Sequence, residues 1–291
     1  MSLLKTFQTY QSLNTDQKVF IKEKIIEGTA TPEQWLTLFR KVGEYDRYRD
    51  ASSSKFGGIG CGCGLIAFIG FFFSIATVYS FLLYLLILVP FVILFILIAR
   101  RRLDMRNHLR QFIIPLLAVL REEMSPQEPF YLRLDLRDGT TVGTNYSNQL
   151  SASGQRLQRS GSKVTEAFYA HYWLLAKGTL ADGTRLEIQL FDRIRKRSEG
   201  KRRTSGKYKT KTKHKIKTRL EAMLHFKKSR YVLNKEQAIS QSGEKVEIKA
   251  NDSRTVIKVR RNVVGTDLLT PVGVDKLFDT IARAYRQVTP G

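Results

Sequence analysis

Between Phe56 and Ala99, forty-four consecutive residues carry no charged side chain, and Arg100, Arg101 and Arg102 close the run. As one α-helix this stretch would extend ~66 Å at ~1.5 Å per residue. A hydrocarbon core is only roughly 30 Å thick, so the run is read as two spans rather than one. The spans are placed at Ile59 to Ala76 and Phe81 to Ala99, with Thr77 to Ser80 as the turn. Arg47, Arg49 and Lys55 precede the pair, and Arg100 to Arg102, Arg106 and Arg110 follow it. Basic flanks are retained on the cytoplasmic side, which predicts an integral membrane protein with both termini in the cytoplasm. Gly58 and Gly62, offset from Gly60 and Gly64, give small residues four apart. That spacing lets a second helix approach closely, either the other span or a copy of the chain in a homo-oligomer. Pro90 should kink the second span. Cys61 and Cys63 are the only cysteines. They exclude a disulfide framework and lack the further ligands of a zinc site.

The rest of the chain is expected to fold outside the membrane as an α+β structure. Residues 1–55 read as a cytoplasmic helical region. An amphipathic helix from Asn14 or Thr15 buries Val19, Phe20, Ile25 and Ile26 and stops at Gly28, and a second starts at Thr31-Pro32 with Trp35, Leu36, Leu38, Phe39 and Val42 as its stripe. The two are expected to pack as a helical hairpin. After the spans (residues 56–102), residues 103–128 form a connecting helix kinked at Pro115, with an apolar stripe through Leu109, Phe112, Ile113, Leu116, Leu117 and Leu120. That stripe suits either the headgroup layer or the face of a sheet.

From Phe130 the hydrophobic period changes to two, so residues 129–291 are expected to form an antiparallel β domain covered by a terminal helix. Asp138-Gly139 and Asp182-Gly183 carry the dipeptide that tight hairpins prefer, and Asn251-Asp252 joins the last two strands. Residues 143–165, rich in Ser, Gly, Asn and Gln, read as a long loop. Val274, Leu277, Phe278, Ile281, Tyr285 and Val288 give the terminal helix its apolar stripe.

Function is bounded mainly by charge. Forty-nine basic against 26 acidic residues leave a net charge of +23, which predicts attraction to polyanions. Fourteen of the basic residues, against Glu199 alone, lie between Arg193 and Arg219, within a hairpin expected over residues 184–226. The anion-binding set is Arg193, Arg195, Arg197, Lys207, Lys209, Lys211, Lys213, Lys215, Lys217 and Arg219. All are odd-numbered, so period two puts each strand's charges on one side, and a register opposing Arg197 to Lys207 would unite the two sets on one face. Single-strand nucleic-acid binding uses stacked aromatics, and only Tyr208 lies within the basic run. The expectation is therefore a membrane anchor or scaffold whose basic hairpin binds anionic lipid headgroups or an acidic protein. The alternative is a membrane-tethered nucleic-acid binder. No P-loop, nucleophile elbow or dinucleotide fingerprint is present, and His108, His171, His214 and His225 share no ligand spacing. No enzyme activity, metal or cofactor is expected.

Overall fold

The computed structural model describes residues 2–51, 105–145, 162–202, 208–234, 244–265 and 272–291. The chain divides into two compact units, Met1–Glu23 with Leu38–Met105 and Lys24–Thr37 with Arg106–Gly291.

The first unit contains helices α1 (Ser2–Gln11) and α2 (Thr15–Glu23) and most of α3, which covers 32–51. Asn14 and Gln17 cap α2 reciprocally: each side chain accepts from the other's backbone N–H, at 2.8 and 3.0 Å. Phe20 packs against Phe39 with ring centroids 5.4 Å apart, and the Gln17 amide donates to the Leu38 carbonyl. The expected helical hairpin is corrected here. Helix α2 stops at Glu23, Lys24 takes a left-handed φ of 61°, and Ile25–Ala30 is a strand, β1. Two adjacent β-branched residues followed by Gly28 suit a strand better than a helix. Val19, expected inside, is exposed.

The second unit is built on one antiparallel sheet. Its strands are β1, β2 (Phe130–Asp135), β4 (Ser162–Thr179), β5 (Arg185–Arg202), β6 (Tyr208–Lys227), β9 (Arg254–Gly265) and β8 (Glu244–Ala250), in that spatial order. The short β3 (Thr144–Asn145) pairs with β4, and β7 (Tyr231–Leu233) pairs separately with β10 (Val288–Pro290). Even-numbered residues of β5 and β6, from Leu186 to Ile194 and from Ile216 to Phe226, point into the core. A π-helical turn, Leu109–Ile113, runs into α4 (Ile114–Glu123), and the whole expected stripe of this segment is buried. The wider turn accommodates Pro115, which has no N–H to give to a regular helix. The stripe therefore belongs to the protein core: Phe112 and His108 meet Trp173 edge-on, with ring centroids 5.4 and 4.9 Å away. Helix α6 (Val274–Tyr285) covers the β6 and β9 side, and Tyr285 packs on Phe226.

The Asp182-Gly183 turn forms as expected, with Gly183 at φ 80°. Its Asp182 carboxylate accepts hydrogen bonds from the Thr184 N–H and from the hydroxyls of Tyr231 and Tyr285, at 2.7 to 2.8 Å. Asp138-Gly139 does not turn a hairpin. Asp138 instead caps a short helix, α5 (Gly139–Val142), by accepting from the Thr140 N–H.

The class expected from the sequence, an α+β membrane protein, is replaced by a mixed α/β fold with a large antiparallel sheet. Among the described residues no helix is long and apolar enough to cross a membrane. The longest, α3, is interrupted by Glu33, Arg40, Lys41, Glu44, Asp46, Arg47, Arg49 and Asp50. The two spans placed within 56–102, with Gly58, Gly60, Gly62, Gly64, Cys61, Cys63 and Pro90, lie outside the described residues. The expected integral-membrane location with both termini cytoplasmic is corrected with the fold class, since no described helix could supply a span.

Candidate functional site

Among the described residues helices cover one face of the sheet and, as an antiparallel sheet allows, none covers the opposite face. Its upper half contains the expected anion-binding residues. Strands β5 and β6 pair with Arg193 opposite Lys217, Arg195 opposite Lys215 and Arg197 opposite Lys213. The register differs by six residues from one that opposes Arg197 to Lys207, but an even shift preserves the face, so both basic sets do share it. Lys207 lies outside the described residues. Arg193, Arg195, Lys209, Lys211, Lys213, Lys215 and Lys217 are all exposed.

Few carboxylates answer this charge. Glu166 on β4 takes a two-pronged contact from Arg195, at 2.5 and 3.2 Å, and lies 3.8 Å from Arg197. Glu199 lies 3.6 Å from Arg197. Among the described residues no carboxylate pairs with Arg193, Arg219 or the five lysines from Lys209 to Lys217. Like charges directly opposed across a ladder destabilise it, by a few tenths of a kcal/mol to about 1 kcal/mol per pair.

The sequence reading missed the aromatic residues of this face, because they come from outside the basic run. Phe191 lies two residues before Arg193 and opposite both Tyr172 of β4 and Arg219 of β6. The Tyr172 and Phe191 rings are 4.4 Å apart at 43°, and the guanidinium groups of Arg193 and Arg219 lie 5.7 and 5.6 Å from the Phe191 ring. Such separations allow cation–π attraction and hold the arginines over the ring. A bulge brings Tyr172 here. The β4–β5 register slips between Tyr172 and Leu174, so Trp173 and Leu174 both turn inward while Tyr172, 67% exposed, stays on the open face. Phe191 was legible from its parity with Arg193; nothing in the alternation of β4 signals the bulge. Phe168, Ala170, Tyr172, Phe191, Arg193 and Lys217 line a concavity of about 720 Å³. A smaller one of about 210 Å³ continues below it, between Tyr172, Gln189, Arg219, Glu221 and Arg260.

Behind the same rows the inward positions are polar. His171, Asp192 and Thr218 sit in register across β4, β5 and β6, and all three are buried. Burial pushes the Asp192 carboxyl above the usual range, against the hydrogen bond from the Thr218 hydroxyl at 2.7 Å and the charge of buried Arg106. Burial acts the same way on Asp135, but there the His171 imidazole 3.5 Å away and hydrogen bonds from Arg137 outweigh it and the carboxyl sits below its usual range. These groups tie the strands together under the open face. Among the described residues no group of His, Cys, Asp and Glu could hold a metal ion. Set against known proteins, the chain matches no family model, no curated protein and no solved structure. Fold-level analogy therefore contributes nothing, and the chemistry of the face decides.

Proposed function

We propose that the open face of the β domain binds single-stranded nucleic acid. The observation that carries the reading is the exposed ring of Tyr172, packed on buried Phe191 and with Phe168 on the same strand, on the same face as the arginine–lysine ladder. Every base has a π-face that can stack on such rings, and cations beside them neutralise phosphates. A duplex keeps its bases stacked internally and would leave the rings unused. Lipid headgroups and acidic proteins, the partners preferred on charge alone, need no aromatic floor.

A plainer account of the lysines is that an edge strand carries them to prevent pairing with another chain. It covers only Lys209 to Lys215, since β9 pairs with β6 from Ile216 onward. It does not reach Lys217, Arg219 or the arginines of β5, which lie on strands flanked on both sides.

The test is fluorescence anisotropy with a labelled single-stranded oligonucleotide, beside a duplex of the same length and phosphatidylserine vesicles at equal ionic strength. The expected order is single strand over duplex and vesicle. Tyr172→Ala is expected to weaken single-strand binding by about 1–3 kcal/mol, with Tyr172→Phe near the wild type. Preference for vesicles or duplex, or single-strand binding indifferent to Tyr172→Ala, would overturn the proposal.

A further inference from the structure

We infer that the nucleic acid lies along the strands rather than across them, its bases over Phe168 and Tyr172 of β4 and its phosphates over β6. This rests on the reading above and adds the path and the preferred form of the ligand: an extended, unpaired strand. The open face is sorted into columns. On β4 the outward residues are Glu166, Phe168, Ala170 and Tyr172, with Phe168 to Tyr172 level with Lys215 to Arg219 and Glu166 level with Lys213; on β6 they are Lys209, Lys211, Lys213, Lys215, Lys217 and Arg219. Strand β5 lies between them and changes from Phe191 to Arg193 and Arg195. Neighbouring strands are about 4.8 Å apart, so the aromatic and cationic columns stand about 10 Å apart. A nucleotide likewise carries its base on one side and its phosphate on the other, at a comparable separation.

The step along the cationic column agrees with this path. Same-face residues on a strand recur every ~6.7 Å, close to the interval between successive phosphates of an extended single strand. A ligand crossing the sheet at the level of Tyr172 would meet Phe191, Arg219 and then Asn262, a row with one cation. One row up it would meet Ala170, Arg193, Lys217 and Val264, with two. A crossing at Phe168 would meet Arg195 and Lys215, and only the lengthwise path brings Lys209, Lys211 and Lys213 into use together with the aromatic rows. The track also has an end. Immediately past Arg219 on this face is Glu221, held by Lys258 and by Arg260 at 2.9 Å, and Arg260 in turn contacts Glu247 at 3.0 Å. A phosphate moving beyond Arg219 meets this carboxylate and cations that are already engaged. Ala170, small between Phe168 and Tyr172, leaves the space that the concavity fills.

The experiment is a length series of oligothymidylates from about three to about twelve nucleotides, titrated with salt on the full chain. Affinity is expected to climb up to about six to eight nucleotides and then to level, because six basic positions form the column. The double variant Lys209→Gln, Lys211→Gln should reduce the salt slope for long oligonucleotides by about 1.4 and leave the shortest unaffected. Both side chains are exposed, and Thr210→Val with Thr212→Val, at alternate positions of the same strand, reports any general effect of altering β6. Levelling at about three nucleotides, with the lysine pair without effect, would overturn the lengthwise path and leave the binding face standing. Failure of every oligonucleotide to bind at low salt would overturn both.

Discussion

In the lower half of the open face, Glu187, Glu221 and Glu247 each lie against a cation: Lys177 at 3.3 Å for Glu187, Lys258 and Arg260 for Glu221, and Arg260 and Lys245 for Glu247. In the upper half, three arginines face three lysines across the β5–β6 ladder, with Glu166 and Glu199 as their nearby carboxylates. The backbone is the same continuous ladder in both. Among the described residues one half pairs its charges within the molecule, and the other leaves most of its cations without a carboxylate. A sheet selected for stability alone would alternate signs throughout, since cross-strand pairs of opposite charge stabilise and like pairs do the reverse. The upper half departs from that pattern next to the exposed ring of Tyr172.

Breaking the lower half should give the largest change. Glu221→Gln leaves Lys258 and Arg260 without their shared carboxylate at a buried position, and is expected to lower stability by about 1–3 kcal/mol in urea unfolding. The same change frees Lys258, while Arg260 keeps Glu247, and removes the carboxylate next to Arg219. Single-strand affinity should rise several-fold as stability falls. An equal loss of both would mean that Glu221 serves the face only by holding it in shape.

The turn below that half gives a second test. Burial pushes the Asp182 carboxyl upward, but hydrogen bonds from Tyr231, Thr184 and Tyr285 outweigh it and hold it below its usual 3.8. A carboxyl that titrates lower in the folded state contributes stability in full above the ordinary aspartate range, and that contribution is lost as pH falls through the folded value. Asp182→Ala should therefore cost about 1–2 kcal/mol at neutral pH, and the gap to wild type should close on acidification below about pH 4. Oligonucleotide affinity per folded molecule should not change.

The smallest effect is expected on the reverse side of the basic strand. Thr212 is exposed and contacts the Ser198 hydroxyl at 3.1 Å, on the face opposite the lysines. Thr212→Val should leave affinity and its salt slope unaltered. A loss matching that of Lys213→Gln would show that β6 binds as a flexible charged segment rather than by face.

Period two alone placed Lys209 to Arg219 on one side and matched them to Arg193, Arg195 and Arg197, because any even register keeps the parity. The aromatic half of the site was hidden for a different reason. Tyr172 is carried onto the open face by a bulge that reverses the parity of β4 at Trp173, and a bulge leaves no mark in a run of apolar residues. Ile25 and Ile26 continue the helical spacing of Phe20 and Ile21, which hid their β-branched strand preference until the pairing of β1 with β2 realised it. Asp138-Gly139 and Asp182-Gly183 share a dipeptide and differ in outcome. The first has no strand directly after it and becomes a helix cap; the second joins strands long enough to close a hairpin. The uncharged run from Phe56 to Ala99, the strongest signal in the sequence, lies outside the described residues.

On the proposed reading, the charge of the upper half is held at the expense of the free protein's stability and recovered when a polyanion binds. Urea unfolding of wild type and of the double variant Lys215→Gln, Lys217→Gln, with and without a single-stranded oligonucleotide, tests it directly. These lysines oppose Arg195 and Arg193. Alone, the variant should be more stable than wild type by up to about 1 kcal/mol, since two repulsive pairs are relieved. With oligonucleotide at about a hundred times the wild-type Kd, wild type should gain about 2.7 kcal/mol, the variant much less, and the order should reverse. A variant no more stable than wild type when free, or an oligonucleotide that protects both equally, would contradict the account.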